Sequence, residues 1–196
     1  MGEGSSRGRR TERRPLTLFT VGHGARSIEG FLSLLRGAGV QRLVDVRTAP
    51  GSRKHPHFGR DALEAAVQRA GIAYEWRKEL GGWRKPRPGS PHTALRSAGF
   101  RGYADHMDTE EFASALDRLM ASAEGERVAI MCAESLWWRC HRRMIADALE
   151  AAGCEVLHLM EGGRLERHRP SEIARTVDGR LVYDVDAGQA SPLPGE

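Results

Sequence analysis

Val128-Ala-Ile-Met-Cys-Ala-Glu-Ser-Leu-Trp-Trp-Arg-Cys-His-Arg142 reads as a strand, a polar loop and the first turn of a helix. The apolar run Val128 to Met131 suits a buried strand, and Met144, Ile145, Ala148, Leu149 and Ala152 then recur at helical spacing until Gly153 ends the pattern. The loop between them carries two of the chain's three cysteines, a carboxylate, a tryptophan pair, arginines and a histidine. Open α/β sheets bind ligands at this place, beyond the carboxyl ends of parallel strands.

Working outward, the same alternation repeats. Thr17 to Val21 forms a strand, Gly22-His-Gly-Ala-Arg-Ser27 a turn ending in an N-cap, and Ile28, Phe31, Leu32 and Leu35 a helical stripe before the strand Arg42 to Arg47. Asp61 is placed to cap a helix bearing Leu63, Ala66, Val67 and Ala70, and Ile72 to Trp76 supplies a third strand. From Gly81 to Tyr103 the pattern dissolves into Gly, Pro, Arg and Ser, which predicts a long lid loop. Thr109 then caps a helix with Phe112, Leu116, Leu119 and Met120 inward, and Cys154 to Leu159 is expected to close the sheet. The prediction is a single α/β domain over 15–163, with a mostly parallel sheet covered by helices on both faces. Residues 164–196 read as a partly ordered C-terminal extension, with Arg180 to Asp184 as an edge strand.

Composition narrows the class. The chain has 196 residues, 40% of them apolar, and no apolar run long enough to cross a bilayer, so it holds one core rather than two. Residues 1–14 lack the apolar core of a targeting signal and are expected to be a disordered basic tail, which places the protein in the cytoplasm by default. That tail, with five arginines against Glu3 and Glu12, carries +3 of the formal net charge of +4. The remainder is nearly neutral, so charge alone gives weak support to a nucleic-acid partner. Three cysteines without an export signal point to free thiols.

The strand ends Gly22-His23, Asp45-Val-Arg47 and Cys132-Ala-Glu134 can converge on one side of the sheet. Candidate catalytic residues are therefore Cys132 as nucleophile or packed thiol, Glu134 and Asp45 as a carboxylate pair, and His23 in proton transfer or as a hydrogen-bonded turn residue. Asp45 and Arg47, two apart on a strand, also suit a structural ion pair. Candidate binding residues are Arg47, Arg139, Arg142, His141 and Arg53 for anions, Trp137 and Trp138 for stacking, and Tyr103 on the lid, with Asp105 ordering it. Cys140 is a resolving thiol or a first-turn helix residue. Zinc ligands would come from Cys132, Cys140 and His141 with His23 or His158, but no Cys-x2-Cys or His-x3-His spacing is present, and no metal is predicted. Gly22-His-Gly24 lacks the remainder of a dinucleotide fingerprint, so no cofactor is expected.

Thr20-Val-Gly-His23, Asp45-Val-Arg47, Leu80-Gly-Gly82, Phe100-Arg-Gly-Tyr-Ala104 with Met107, and Met131-Cys-Ala-Glu134 followed by Arg139-Cys-His-Arg142 stand in one order over roughly residues 16 to 163. In these motifs the chain resembles the family catalogued as domain of unknown function 488. The resemblance implies a layout similar to rhodaneses and cysteine phosphatases. Here six residues, one of them acidic, separate Cys132 from Arg139, where the phosphatase loop has five. That carboxylate disfavours a dianion. The resulting expectation is an enzyme acting on a nucleotide, nucleic acid or phosphorylated sugar, through glycosidic hydrolysis or phosphate or sugar transfer. A sulfurtransferase with a Cys132 persulfide and a noncatalytic nucleotide-binding or nucleic-acid-binding module are the alternatives.

Overall fold

The computed structural model describes residues 15–185. Its main sheet has five parallel strands and one antiparallel edge: β1 (Thr17–Gly22), β2 (Arg42–Asp45), β3 (Ala73–Trp76), β4 (Val128–Cys132), β5 (Glu155–Leu159) and β6 (Leu165–Arg167), in the order β3-β2-β4-β1-β5-β6. The α/β class and the mostly parallel sheet predicted from alternation are present.

Period-two side chains divide the core in two. Leu18, Val44, Val128, Ile130 and Val156 point to one face, against α3 (Ala98–Met107), α4 (Glu110–Ala123) and α5 (Arg142–Ala151). Phe19, Val21, Leu43, Ala129, Met131 and Leu159 point to the other, against α1 (Ile28–Gly37) and α2 (Arg60–Arg69). Neighbouring strands β2 and β4 are thus followed by helices on opposite faces, α2 and α5. Their loops part, and a crevice opens between them at the carboxyl ends.

Ser27 and Thr109 cap α1 and α4, their hydroxyls accepting from the amides of Gly30 and Phe112. Asp61 does not cap: the N-cap of α2 is Gly59, and Asp61 lies in the first turn. Other expectations are corrected by pairing. Cys154 to Leu159 does not close the sheet, because β6 pairs antiparallel outside β5. Arg180–Tyr183 (β8) joins Ala174–Val177 (β7) in a separate hairpin rather than edging the main sheet. The break placed at residue 163 therefore falls inside a paired unit. Residues 81–97 are irregular, but the loop expected to reach Tyr103 ends at α3. That helix escaped notice because Gly99 and Gly102 interrupt its pattern. The basic tail 1–14 and residues 186–196 lie outside the described residues. No described helix is long and apolar enough to cross a membrane.

Candidate functional site

The crevice between β2 and β4 deepens into a cavity of about 340 Å³. Cys132, Cys140 and His141 lie in its lining with Arg47 and Gly82, while Trp83, Phe100, Glu134 and Arg139 form walls and rim. The loop after β4 comes into position because two glycines let it cross β1. A Cβ on Gly22 would stand 1.9 Å from the Glu134 carbonyl oxygen, and one on Gly24, whose φ is +53°, 2.1 Å from Ser135 Oγ. The amides of His23 and Gly24 donate to the carbonyls of Cys132 and Ala133, carrying the β1–β4 ladder into the loop. From beneath, the buried Arg142 guanidinium donates to the Glu134 carbonyl and to Thr20 Oγ1.

His141 opens α5 and joins the two sulfurs. Its Nε2–H donates to the Val46 carbonyl at 3.0 Å, and Nδ1 turns toward Cys140 Sγ at 3.6 Å and Cys132 Sγ at 4.0 Å. The two thiols are coupled. Hydrogen bonding from Cys132, with Arg142 nearby, holds Cys140 well below the ordinary thiol range, while donation to Cys140 and burial push Cys132 well above it. Within the pair Cys132 is the hydrogen-bond donor and Cys140 the acceptor.

The remaining predicted residues separate by sheet face. Asp45 is fully buried and saturated: it accepts from the Arg47 amide (3.0 Å), from Arg47 Nε (2.9 and 3.1 Å) and Nη2 (2.5 Å), and from the Tyr74 hydroxyl (2.8 Å). Burial opposes the Arg47 charge, but Asp45 more than offsets it and raises the guanidinium pKa. Asp45 lies outside the cavity lining, so the carboxylate pair with Glu134 is not formed there. His23 is buried, stacked on Phe58 at 4.2 Å, with Nδ1 bonded to the Gly24 carbonyl, and burial holds its pKa down to about 4. It docks the turn and does not line the cavity. Trp137 stacks on His158 in the interior, ring centroids 4.1 Å apart, and donates to Glu166. Trp138 packs edge-on against Trp137 and is absent from the cavity lining. Tyr103 is fully buried in α3 and donates its hydroxyl to the Leu80 carbonyl, and Arg53 is exposed outside the lining. Asp105, expected to order the lid, accepts from the Arg87 amide and ties down the irregular segment.

The family model described as Domain of unknown function DUF488 matches residues 27–149. The chain belongs to the DUF488 family. Neither the curated proteins nor the solved structures hold a match to it. The matched span of this DUF488 chain contains Gly82, Trp83, Cys132, Glu134, Cys140 and His141. Its cavity therefore lies within the family domain, with β1, β5 and the C-terminal hairpin packed around it.

Three features of this DUF488 site escaped the sequence reading. Trp83 is 80% exposed at the cavity, but it sits in a segment without pattern. Phe100 was read as part of a family motif without a role at the site, because it stands in the unrecognised helix α3. The third is a buried relay: Arg142 to Thr20, Thr20 Oγ1 to His158 Nδ1 at 2.7 Å, His158 Nε2 to His168 Nδ1 at 3.1 Å, and His168 Nε2 to Asp147 Oδ1 at 2.9 Å. Burial pushes His158 in this relay down to about 2.

Proposed function

We propose that the chain is an enzyme acting on a nucleotide or on an exposed base of a nucleic acid, by hydrolysis or group transfer at the base or its glycosidic bond. The observation behind this reading is the large exposed indole of Trp83 standing at a cavity that also presents Phe100, Arg139, Glu134 and a thiol–imidazole floor. A water-exposed tryptophan beside a concave polar site suits base stacking, since every base offers a π-face. The cavity, at about 340 Å³, accommodates one base with its sugar. In this reading Trp83 and Phe100 hold the base, Arg139 holds a phosphate, and Glu134 exchanges protons with water and leaving group. The Cys132 side of the floor faces the reacting atom. Glu134 works without Asp45, which Arg47 neutralises.

Incubation with nucleotides and with single- and double-stranded DNA and RNA, followed by mass spectrometry, tests the reading. A product should form, slow by roughly 10²- to 10⁴-fold in Glu134→Gln, and require more substrate for half-saturation in Trp83→Ala. A silent panel, or full activity in Glu134→Gln, overturns it.

The adjacency of Cys132 and Cys140 favours a second reading, a rhodanese-like sulfurtransferase. Cys132 passes its proton to Cys140 and attacks the outer sulfur of thiosulfate, sulfite leaves, and the persulfide passes its sulfur to an acceptor thiol. Thiosulfate should then add one sulfur to Cys132, and Glu134→Gln should leave the rate intact. Glu134, at the cavity rim, repels that dianion.

A further inference from the structure

The two thiols and the imidazole on the cavity floor have the shape of a metal site. Tetrahedral zinc, with bonds of about 2.3 Å to sulfur and about 2.0–2.1 Å to nitrogen, sets a sulfur and a nitrogen ligand about 3.6 Å apart. Cys140 Sγ and Cys132 Sγ stand 3.6 and 4.0 Å from His141 Nδ1, and all three ligand atoms lie within 4.8 Å of one another. The outer contact is also right: His141 donates Nε2–H to the Val46 carbonyl, which orients the ring and aims Nδ1 at the sulfurs. Gly82 keeps the space beside that nitrogen clear. A Cβ there would lie 2.5 Å from Nδ1.

We propose that Cys132, Cys140 and His141 together bind one thiophilic divalent cation, zinc by its ligand preference, with the fourth position open to the cavity. Two sulfurs and an imidazole select zinc over magnesium or calcium. Three protein ligands with one position left for water is the pattern of catalytic rather than structural zinc. A water held there ionises near neutral pH, which supplies hydroxide for a hydrolytic reaction in the same cavity. This deepens the enzymatic reading above, with Glu134 at the rim as a proton carrier that is not itself a ligand. The other cluster of this type among the described residues, His92, Asp105 and Asp108, is already spanned by Arg87, 3.2 Å from Asp105 and 2.7 Å from Asp108. The sequence offered these three ligands but no paired spacing to support them, because they come from a strand end and a helix start that meet only in the folded chain.

The test is cobalt substitution of the full-length protein, stripped with chelator under reducing conditions and titrated with Co²⁺ in the absence of substrate. One equivalent should produce the sulfur-to-cobalt charge-transfer band and the intense visible bands of a tetrahedral thiolate site, and Zn²⁺ should bleach both. Cys132→Ser, Cys140→Ser and His141→Ala should each weaken binding at least roughly tenfold. Gly82→Ala should do the same by filling the space beside Nδ1, whereas Cys154→Ser, remote from the cavity, should bind as the parent does. Near-ultraviolet circular dichroism identifies the variants that stay folded. Absence of the bands in folded, reduced parent protein overturns the proposal, as does binding that survives in a folded Cys132→Ser. Because no substrate is present, bands with a silent nucleotide panel would reject the enzymatic reading alone, and turnover without bands would reject the ion alone.

Discussion

Asp45 and Arg47 illustrate how a predicted catalytic residue and a predicted binding residue can satisfy each other as a buried ion pair. Their spacing along one strand sets both on the same face, and this much of the arrangement was legible in the sequence. The opposing face was harder to assign. Asp45 saturates its oxygens on Arg47 and Tyr74 outside the cavity that Glu134 lines, so the two carboxylates predicted to cooperate do not share it. Trp137 misled similarly, because nothing in a tryptophan pair reveals that His158 from a distant strand will stack on one of them. Asp45→Ala is expected to lose about 3–5 kcal/mol of stability, since it strands a buried guanidinium without its counter-charge. Urea unfolding measures this. A variant of parental stability with abolished turnover would return Asp45 to the catalytic list.

At the scale of elements, α3 shows why the Gly-rich stretch was opaque. Gly102 sits mid-helix, and a Cβ there would meet the Lys85 carbonyl carbon at 2.5 Å and Pro86 N at 2.7 Å. The glycine thus seats the irregular 81–97 segment, which forms the cavity wall at Trp83, against the helix. Helix propensity alone predicts that Gly102→Ala stabilises by up to about 1 kcal/mol. The contact predicts the opposite, a loss of about 1–3 kcal/mol from overpacking against rigid backbone. Thermal unfolding decides between them, and a raised melting temperature would show that the segment yields. The strands and the helices α1, α4 and α5 were legible because their apolar periods are unbroken. Strand β6 was not, since Leu165-Glu-Arg167 carries no apolar period and is defined only by pairing with β5.

For the molecule as a whole, buried histidines govern the response to acid. Burial lowers His23 to about 4 and His158 to about 2, against the ordinary 6.5 that each regains on unfolding. The unfolded chain therefore takes up protons first. Stability is full above pH 6.5 and declines as pH falls below it, each histidine losing about 1.4 kcal/mol per pH unit, or roughly 3 kcal/mol by pH 4. For His23 the decline levels off near pH 4, while for His158 it continues below. Urea midpoints across pH 7 to 4 should fall accordingly, and His23→Gln should flatten part of the slope. A flat profile in the parent would mean that neither histidine is desolvated in the native state.

Asp147 connects the cavity to the chain's later residues. It lies on α5, the helix that His141 begins, and it receives His168, the Ser171 amide and the Tyr183 hydroxyl. Tyr183 is translated 36 residues after the aspartate it satisfies. On the ribosome, then, α5 emerges with a carboxylate whose three donors in the finished fold are all still to be synthesised.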